Sequence, residues 1–127
     1  MSVARSDAPA SGGGAGVPHP LPDDLVELIA ARFRVLGEPT RIRLLDVLRD
    51  GEATVLELTA CVATTQQNVS KHLGLLQQSG LVARRKHGNF VSYRIADPTV
   101  YTLCEAVCGS LRDRYDALRG ITAPPPA

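Results

Sequence analysis

The spacing of the apolar residues changes period once and later changes back, and few architectures satisfy such a switch. As far as Gly80, the large aliphatic side chains recur at helical intervals. From Leu81 to Ile95 they follow strand-like alternation around a Gly-containing turn, and beyond Pro98 the helical spacing returns.

Local punctuation divides the first part into four helices. "LPDDLVELIAARFRVLG" opens with Pro22 and two aspartates, which suit a helix N-terminus, and repeats Leu25, Leu28, Ile29, Phe33 and Leu36 before Gly37. "EPTRIRLLDVLRDG" predicts a second helix from Pro39 that stops at Gly51 and buries Ile42, Leu44, Leu45 and Leu48. "TVLELTACV" predicts a short third helix capped by Thr54. Thr64 or Thr65 caps a fourth, which turns Val69, Leu73 and Leu76 inward and ends at Gly80.

"LVARRK", "HGN" and "FVSYRI" then predict strand, turn and strand, with Val91, Tyr93 and Ile95 on one face. Asp97 and Pro98 open a last helix that carries Val100, Leu103, Val107, Leu111 and Leu118 on one stripe. The expected fold is mainly α: a winged helix-turn-helix of about five helices plus a β-hairpin wing, spanning residues 21–120. Residues 1–20 and 121–127 are too poor in large apolar groups to offset their ordering entropy. They are expected to be a disordered arm and a disordered Pro-rich tail.

The fourth helix raises the functional question. "TTQQNVSKHL" concentrates uncharged donors and acceptors where a helix leaves its turn. In a helix-turn-helix the second helix enters the major groove, where amides pair with adenine, hydroxyls meet several base edges, and lysine reaches guanine or phosphate. A merely solvated polar face is the bland alternative, and charge distribution weighs against it. The chain has 14 Lys and Arg against 13 Asp and Glu, yet no acid lies between Leu58 and Ala96. That interval holds Lys71, Arg84, Arg85, Lys86 and Arg94. A basic flank suits duplex phosphates. The expected DNA-contacting set is Thr65, Gln66, Gln67, Asn68, Ser70, Lys71 and His72 from the helix, with Arg84, Arg85, Lys86 and Arg94 from the wing. RNA is a poorer partner, because Phe90 and Tyr93 are the only aromatic residues of this basic region.

Together, "VLGEPTRIRLLDVL", "LTACVATTQQNVSKHLGLLQQSGLV" and "RRKHGNFVSYRI" resemble the winged helix-turn-helix repressors of the ArsR/SmtB family, over roughly residues 25–111. The resemblance implies a homodimer paired through the first and last helices, an inverted-repeat operator, and an effector that releases double-stranded DNA. The family's usual sensing sites are altered. Where a thiolate site would lie, "EATVLEL" puts Thr54 and Leu56 in the cysteine positions. Where a zinc-type site would lie on the last helix, Asp97 and Asp113 match but Thr99 and Ser110 replace histidines.

Cys104, Cys108 and Cys61 remain as candidate chemistry. "CEAVC" sets Cys104 and Cys108 one turn apart, with about 6 Å between β-carbons. Two such thiolates could share a thiophilic metal or metalloid ion, such as arsenite, cadmium or lead, with a third sulfur from a partner helix. Oxidation or persulfide formation is a second route. Inert, buried cysteines in the same DNA-binding module are the competing expectation. A thiol enzyme is disfavoured, since no histidine lies near either cysteine in sequence. Three cysteines without framework spacing do not suggest a disulfide scaffold, and no run approaches the roughly 18 apolar residues of a membrane span. No signal-peptide core is present, so the expected location is cytoplasmic, away from membranes.

Overall fold

A computed structural model describes residues 16–122. The expectations for residues 1–15 and 123–127 therefore fall outside the described residues. Five helices and three strands follow in the order α1 (Asp23–Leu36), α2 (Pro39–Leu48), β1 (Ala53–Thr54), α3 (Val55–Cys61), α4 (Gln66–Gln78), β2 (Val82–His87), β3 (Phe90–Ile95) and α5 (Thr99–Thr122). This is the expected winged helix-turn-helix, with one strand more than the sequence suggested.

Side chains near each helix start account for the boundaries. Glu38 accepts a bond from the Arg41 N–H at 3.1 Å ahead of Pro39. Thr54 and Glu57 form a reciprocal capping box on α3, at 3.1 and 2.8 Å. Thr65, not Thr64, caps α4 by accepting from the Asn68 N–H at 3.1 Å. Asp97 accepts from the Thr99 N–H at 3.1 Å, so the predicted cap holds although regular α5 starts two residues later. At the other end of α4, Gly80 has φ +78, and the Leu81 and Gly80 N–H groups bond the Leu76 and Gln77 carbonyls at 3.0 and 2.9 Å. Those two bonds are the Schellman pattern, which needs the left-handed residue that glycine supplies.

The core lies where α2, α3 and α4 meet the sheet. Leu44, Leu45 and Leu48 of α2 pack with Leu58, Val62, Val69, Leu73, Leu76, Leu81, Val82 and Tyr93. Burying each of these aliphatic side chains stabilises the fold by roughly 1.5–3 kcal/mol. β2 and β3 pair antiparallel from Val82↔Ile95 to His87↔Phe90, so the hairpin loop is only Gly88 and Asn89. Gly88, at φ +59, takes the first central position, as a type II′ turn prefers. His87, expected in the turn, belongs to the strand. β1 adds to the free edge of β3 through Ala53↔Tyr93 and Thr54↔Ser92.

The expected core needs one correction. Ile42, expected in the core, is 47% exposed, because the inward face of α2 passes through Leu44, Leu45 and Leu48. On α1 only Leu36 is buried; Leu28 and Phe33 stand in the open. The last helix does not stop at Gly120 but continues through it to Thr122. Glycine tolerates the helical backbone there.

The first turns of α5 anchor it to the core. Val100 is buried, the Tyr101 hydroxyl donates to the Leu45 carbonyl at 2.7 Å, and Arg49 lies 4.7 Å above the Tyr101 ring while bonding Glu105 at 3.0 Å. From Glu105 to Gly120 every residue is exposed.

Candidate nucleic-acid interface

α4 is two-sided. Val69, His72, Leu73 and Leu76 are buried, while Gln66, Gln67, Ser70 and Lys71 face outward. The remaining candidates at its start are partly committed to the turn. The Thr65 hydroxyl caps the helix, and the half-buried Asn68 amide donates to the Thr64 hydroxyl at 3.0 Å. Their side chains hold the helix entrance in shape, and the free donors and acceptors are those of Gln66, Gln67, Ser70 and Lys71.

His72 does not join the outward set. It is 6% exposed, and its Nδ1 lies 2.9 Å from Arg41 Nη1. A guanidinium can only donate, so Nδ1 must accept, and the proton of the neutral ring sits on Nε2. That nitrogen points toward Glu38, 3.9 Å away. Burial, above all, pushes the imidazole below its ordinary range; Glu38 opposes this, and Arg41 and Lys71 add to it. Arg41 also donates from Nε to the Val35 carbonyl at 2.6 Å, so it joins the end of α1, the start of α2 and the buried side of α4. The signal was available in the spacing: His72 lies three residues after Val69 and four before Leu76, on the inward face of α4, whereas Lys71 does not.

The wing divides its cations between two faces. Neighbouring residues of a strand point to opposite sides, and directly paired residues share a side. The register therefore places Arg84 with Tyr93 and Lys86 with Val91, and puts Arg85 with Ser92 and Arg94 with Ala83 on the reverse. A cleft of about 370 Å³ is lined by Gln66 and Ser70 of α4, Leu56 of α3, and Arg84, Asn89 and Phe90 of the wing. The recognition helix and one wing cation thus form opposite walls of one concavity. Phe90 and Leu56, both 59% exposed, are wall residues that polar-residue reasoning missed. Exposed apolar groups beside a turn were the available signal.

Arg85 is engaged by a partner within the fold. Its Nε and Nη2 donate to both oxygens of Glu52, at 3.2 and 3.0 Å. Glu52 also accepts from the buried Ser92 hydroxyl and lies 3.6 Å from His87 Nε2. Ser92, chiefly, together with Arg85 holds the Glu52 carboxyl below the usual carboxylate range. The acid-free interval in sequence is therefore not acid-free in space. Among the described residues, Lys71, Arg84, Lys86 and Arg94 have no acidic partner within 4.0 Å.

Cys104 is half-buried against the core and Cys108 is exposed one turn further along α5. Both line an apolar groove of about 570 Å³ with Ile42, Val107, Leu111 and Tyr115. Cys61 is exposed at the end of α3 and does not join them. Among the described residues, no three His, Cys, Asp or Glu side chains gather as a metal site. Among the same residues, no helix is long and apolar enough to cross a membrane.

An outward polar helix face, a preceding short helix and a basic two-stranded wing define a winged helix-turn-helix DNA-binding protein. Residues 36–85 match the family model described as a helix-turn-helix domain. The chain is 40% identical over 86 residues to the HTH-type transcriptional regulator KmtR of Mycobacterium tuberculosis, covering 68% of this chain and 66% of that protein. It is 34% identical over 106 residues to the HTH-type transcriptional regulator Rv0081 of the same organism, covering 80% of this chain and 93% of that one. The crystal structure of Rv0081 superposes with a TM-score of 0.64 at 35% identity, covering 77% of this chain and 98% of that one. The solution structure of the homodimeric winged helix-turn-helix DNA-binding domain of Mb0332 from Mycobacterium bovis, "a possible ArsR-family transcriptional regulator", gives 0.66 at 25% identity, over 79% and 95% of the two chains. The chain belongs to the ArsR/SmtB family of DNA-binding transcriptional repressors.

Proposed function

We propose that residues 21–120 act as a homodimer that binds an inverted-repeat operator and releases it when the α5 thiols are occupied or oxidised. The cleft shared by α4 and the wing carries the first half of this reading. With α4 in a major groove, Gln66, Gln67, Ser70 and Lys71 meet base edges, and Arg84 and Lys86 meet the phosphates of the ridge that the cleft receives. The α4 N-terminus contributes its positive dipole end to the same backbone. Two-fold pairing of protomers would place two such helices on symmetric half-sites, hence the inverted repeat.

The dimer is supported by the apolar face that a single protomer leaves in water. Phe33 of α1, Ile42 of α2, and Val107, Leu111 and Tyr115 of α5 are all about half exposed. Leu36, Gly37 and Leu103 join Phe33, Ile42 and Val107 around an adjoining concavity, so α1 and α5 present one continuous surface. Cys104 and Cys108 sit inside this face. Pairing of two α5 helices would bring in the thiols a trigonal soft-ion site lacks, and binding or oxidation there would act on the packing that spaces the two α4 helices. Cys104, packed against the core, also favours a second reading in which both thiols are structural.

Mobility-shift titration of the region upstream of the protein's own coding sequence tests both halves. Gln67→Ala and Lys71→Ala are expected to weaken binding by about 1–3 kcal/mol each while leaving the dimer intact; unchanged affinity removes the α4 assignment. Cys104→Ser with Cys108→Ser is expected to bind DNA normally but to resist release by arsenite, cadmium or peroxide. A double variant that still responds as wild type establishes the structural reading instead.

A further inference from the structure

The Glu52–Arg85 pair has features that a casual surface ion pair lacks. Glu52 follows Gly51, whose φ of +129 turns the chain from α2 toward the sheet and delivers the carboxylate to the reverse face of the wing. There it receives the Arg85 fork through two bonds, and the Ser92 hydroxyl ties it to a buried floor. His87, next to the turn, approaches the same oxygen. One carboxylate thus gathers three side chains from both strands of the wing. It comes from outside the acid-free interval, and it neutralises one wing cation while Arg84, Lys86 and Arg94 stay unpaired among the described residues.

We propose that Glu52 is a specificity-determining residue: it withholds Arg85 from DNA and so keeps sequence-independent attraction to phosphates low. The inference rests on the reading of α4 and the wing as the DNA-binding face. Phosphate contacts draw a protein to any duplex, whereas base contacts distinguish one site from the rest. Arg85 lies three residues before Gly88 of the hairpin loop, toward the end of the wing that, on that reading, nears the DNA. Left free, its long side chain would add a contact that every sequence satisfies equally. Bound to Glu52, it adds rigidity without that attraction.

Fluorescence anisotropy with a labelled duplex of arbitrary sequence, between 50 and 200 mM KCl, tests the proposal without knowledge of the operator. Glu52→Gln keeps the shape and an acceptor for Ser92 but removes the charge. It is expected to bind about threefold to tenfold tighter at low salt, and to steepen the salt dependence by about 0.9 in log–log slope, the signature of one more phosphate contact. Arg85→Gln alone is expected to change affinity less than about twofold, and the double variant to match it. Tightening that survives Arg85→Gln, or Glu52→Gln binding no tighter than wild type, overturns the proposal. Weaker binding would make Glu52 a wing fastener only, and overturns it too. If Glu52→Gln does not fold, Arg85→Gln decides: near-wild-type affinity supports the idea, and a loss as large as that of Lys86→Gln sinks it. Lys71→Ala and Lys86→Gln run in parallel test the parent reading, since that reading fails if neither weakens binding, whatever Glu52 does.

Discussion

The two ends of the molecule expose different chemistry for different reasons. At the α4–wing end the outward groups are amides, hydroxyls and cations, and the side beneath them is closed: Val69, Leu73 and Leu76 are fully buried. At the α1–α5 end the outward groups are Phe33, Ile42, Val107, Leu111 and Tyr115, and from Glu105 to Gly120 α5 has no buried side. The first surface is complete as it stands in water, because its polar groups are solvated until DNA replaces that water. The second is incomplete, because apolar area in water is costly and only another apolar face removes the cost. The contrast separates a surface that is closed beneath from one that, on the proposed reading, a second copy would cover.

The largest effect should come from breaking the closed side. Leu73→Ala removes a fully buried side chain from beneath α4, and a loss of about 2–5 kcal/mol is expected in denaturant unfolding. A loss as small as that of an exposed residue would mean that α4 is not held as described. Next comes the open side. Leu111→Asp should leave the fold of α2–β3 intact but place a charge in the apolar face, weakening the dimer by about 2 kcal/mol or more. Sedimentation velocity would show monomer at micromolar concentration, and a dimer undisturbed by the aspartate would reassign that face.

A smaller effect sharpens the boundary between the two ends, where Arg41 joins α1 to α4 through His72. The folded imidazole resists protonation below its ordinary value of 6.5, whereas the unfolded one does not. Unfolded chains therefore bind more protons just below pH 6.5, and stability present above that pH is lost as pH falls toward the lowered folded value. The melting temperature should fall from pH 7.5 to 5.5, and His72→Gln should flatten that fall. The affected carboxyls, Glu38, Glu52 and Asp97, titrate below this window. An equal slope in the variant would remove His72 from the account. The smallest and most local test is Gly80→Ala, where φ +78 makes a side chain strained by about 1 kcal/mol although nothing crowds the site.

Much of the fold was legible from residues whose meaning is local. Thr54, Thr65 and Asp97 cap because hydroxyl and carboxylate oxygens reach N–H groups two or three residues on, and Gly80 ends α4 because few other residues accept its backbone. What escaped was set by residues distant in sequence. β1 is two residues long and exists because β3 offers an open edge. Ile42 fits a buried helical pattern and is nevertheless outside, since periodicity names a face without saying what covers it.

The sequence by itself determined the five helices and the hairpin, their order and the polar character of α4, because propensity, capping and periodicity act within a few residues. Only the tertiary structure decided which charges count. His72 is withdrawn inward by Arg41, Arg85 is claimed by Glu52 from 33 residues away, and Gln66 and Arg84 come to line one cleft. Coulomb and hydrogen-bond partners are chosen by distance in space, which the chain achieves only after α2, α4 and the sheet have closed on one core.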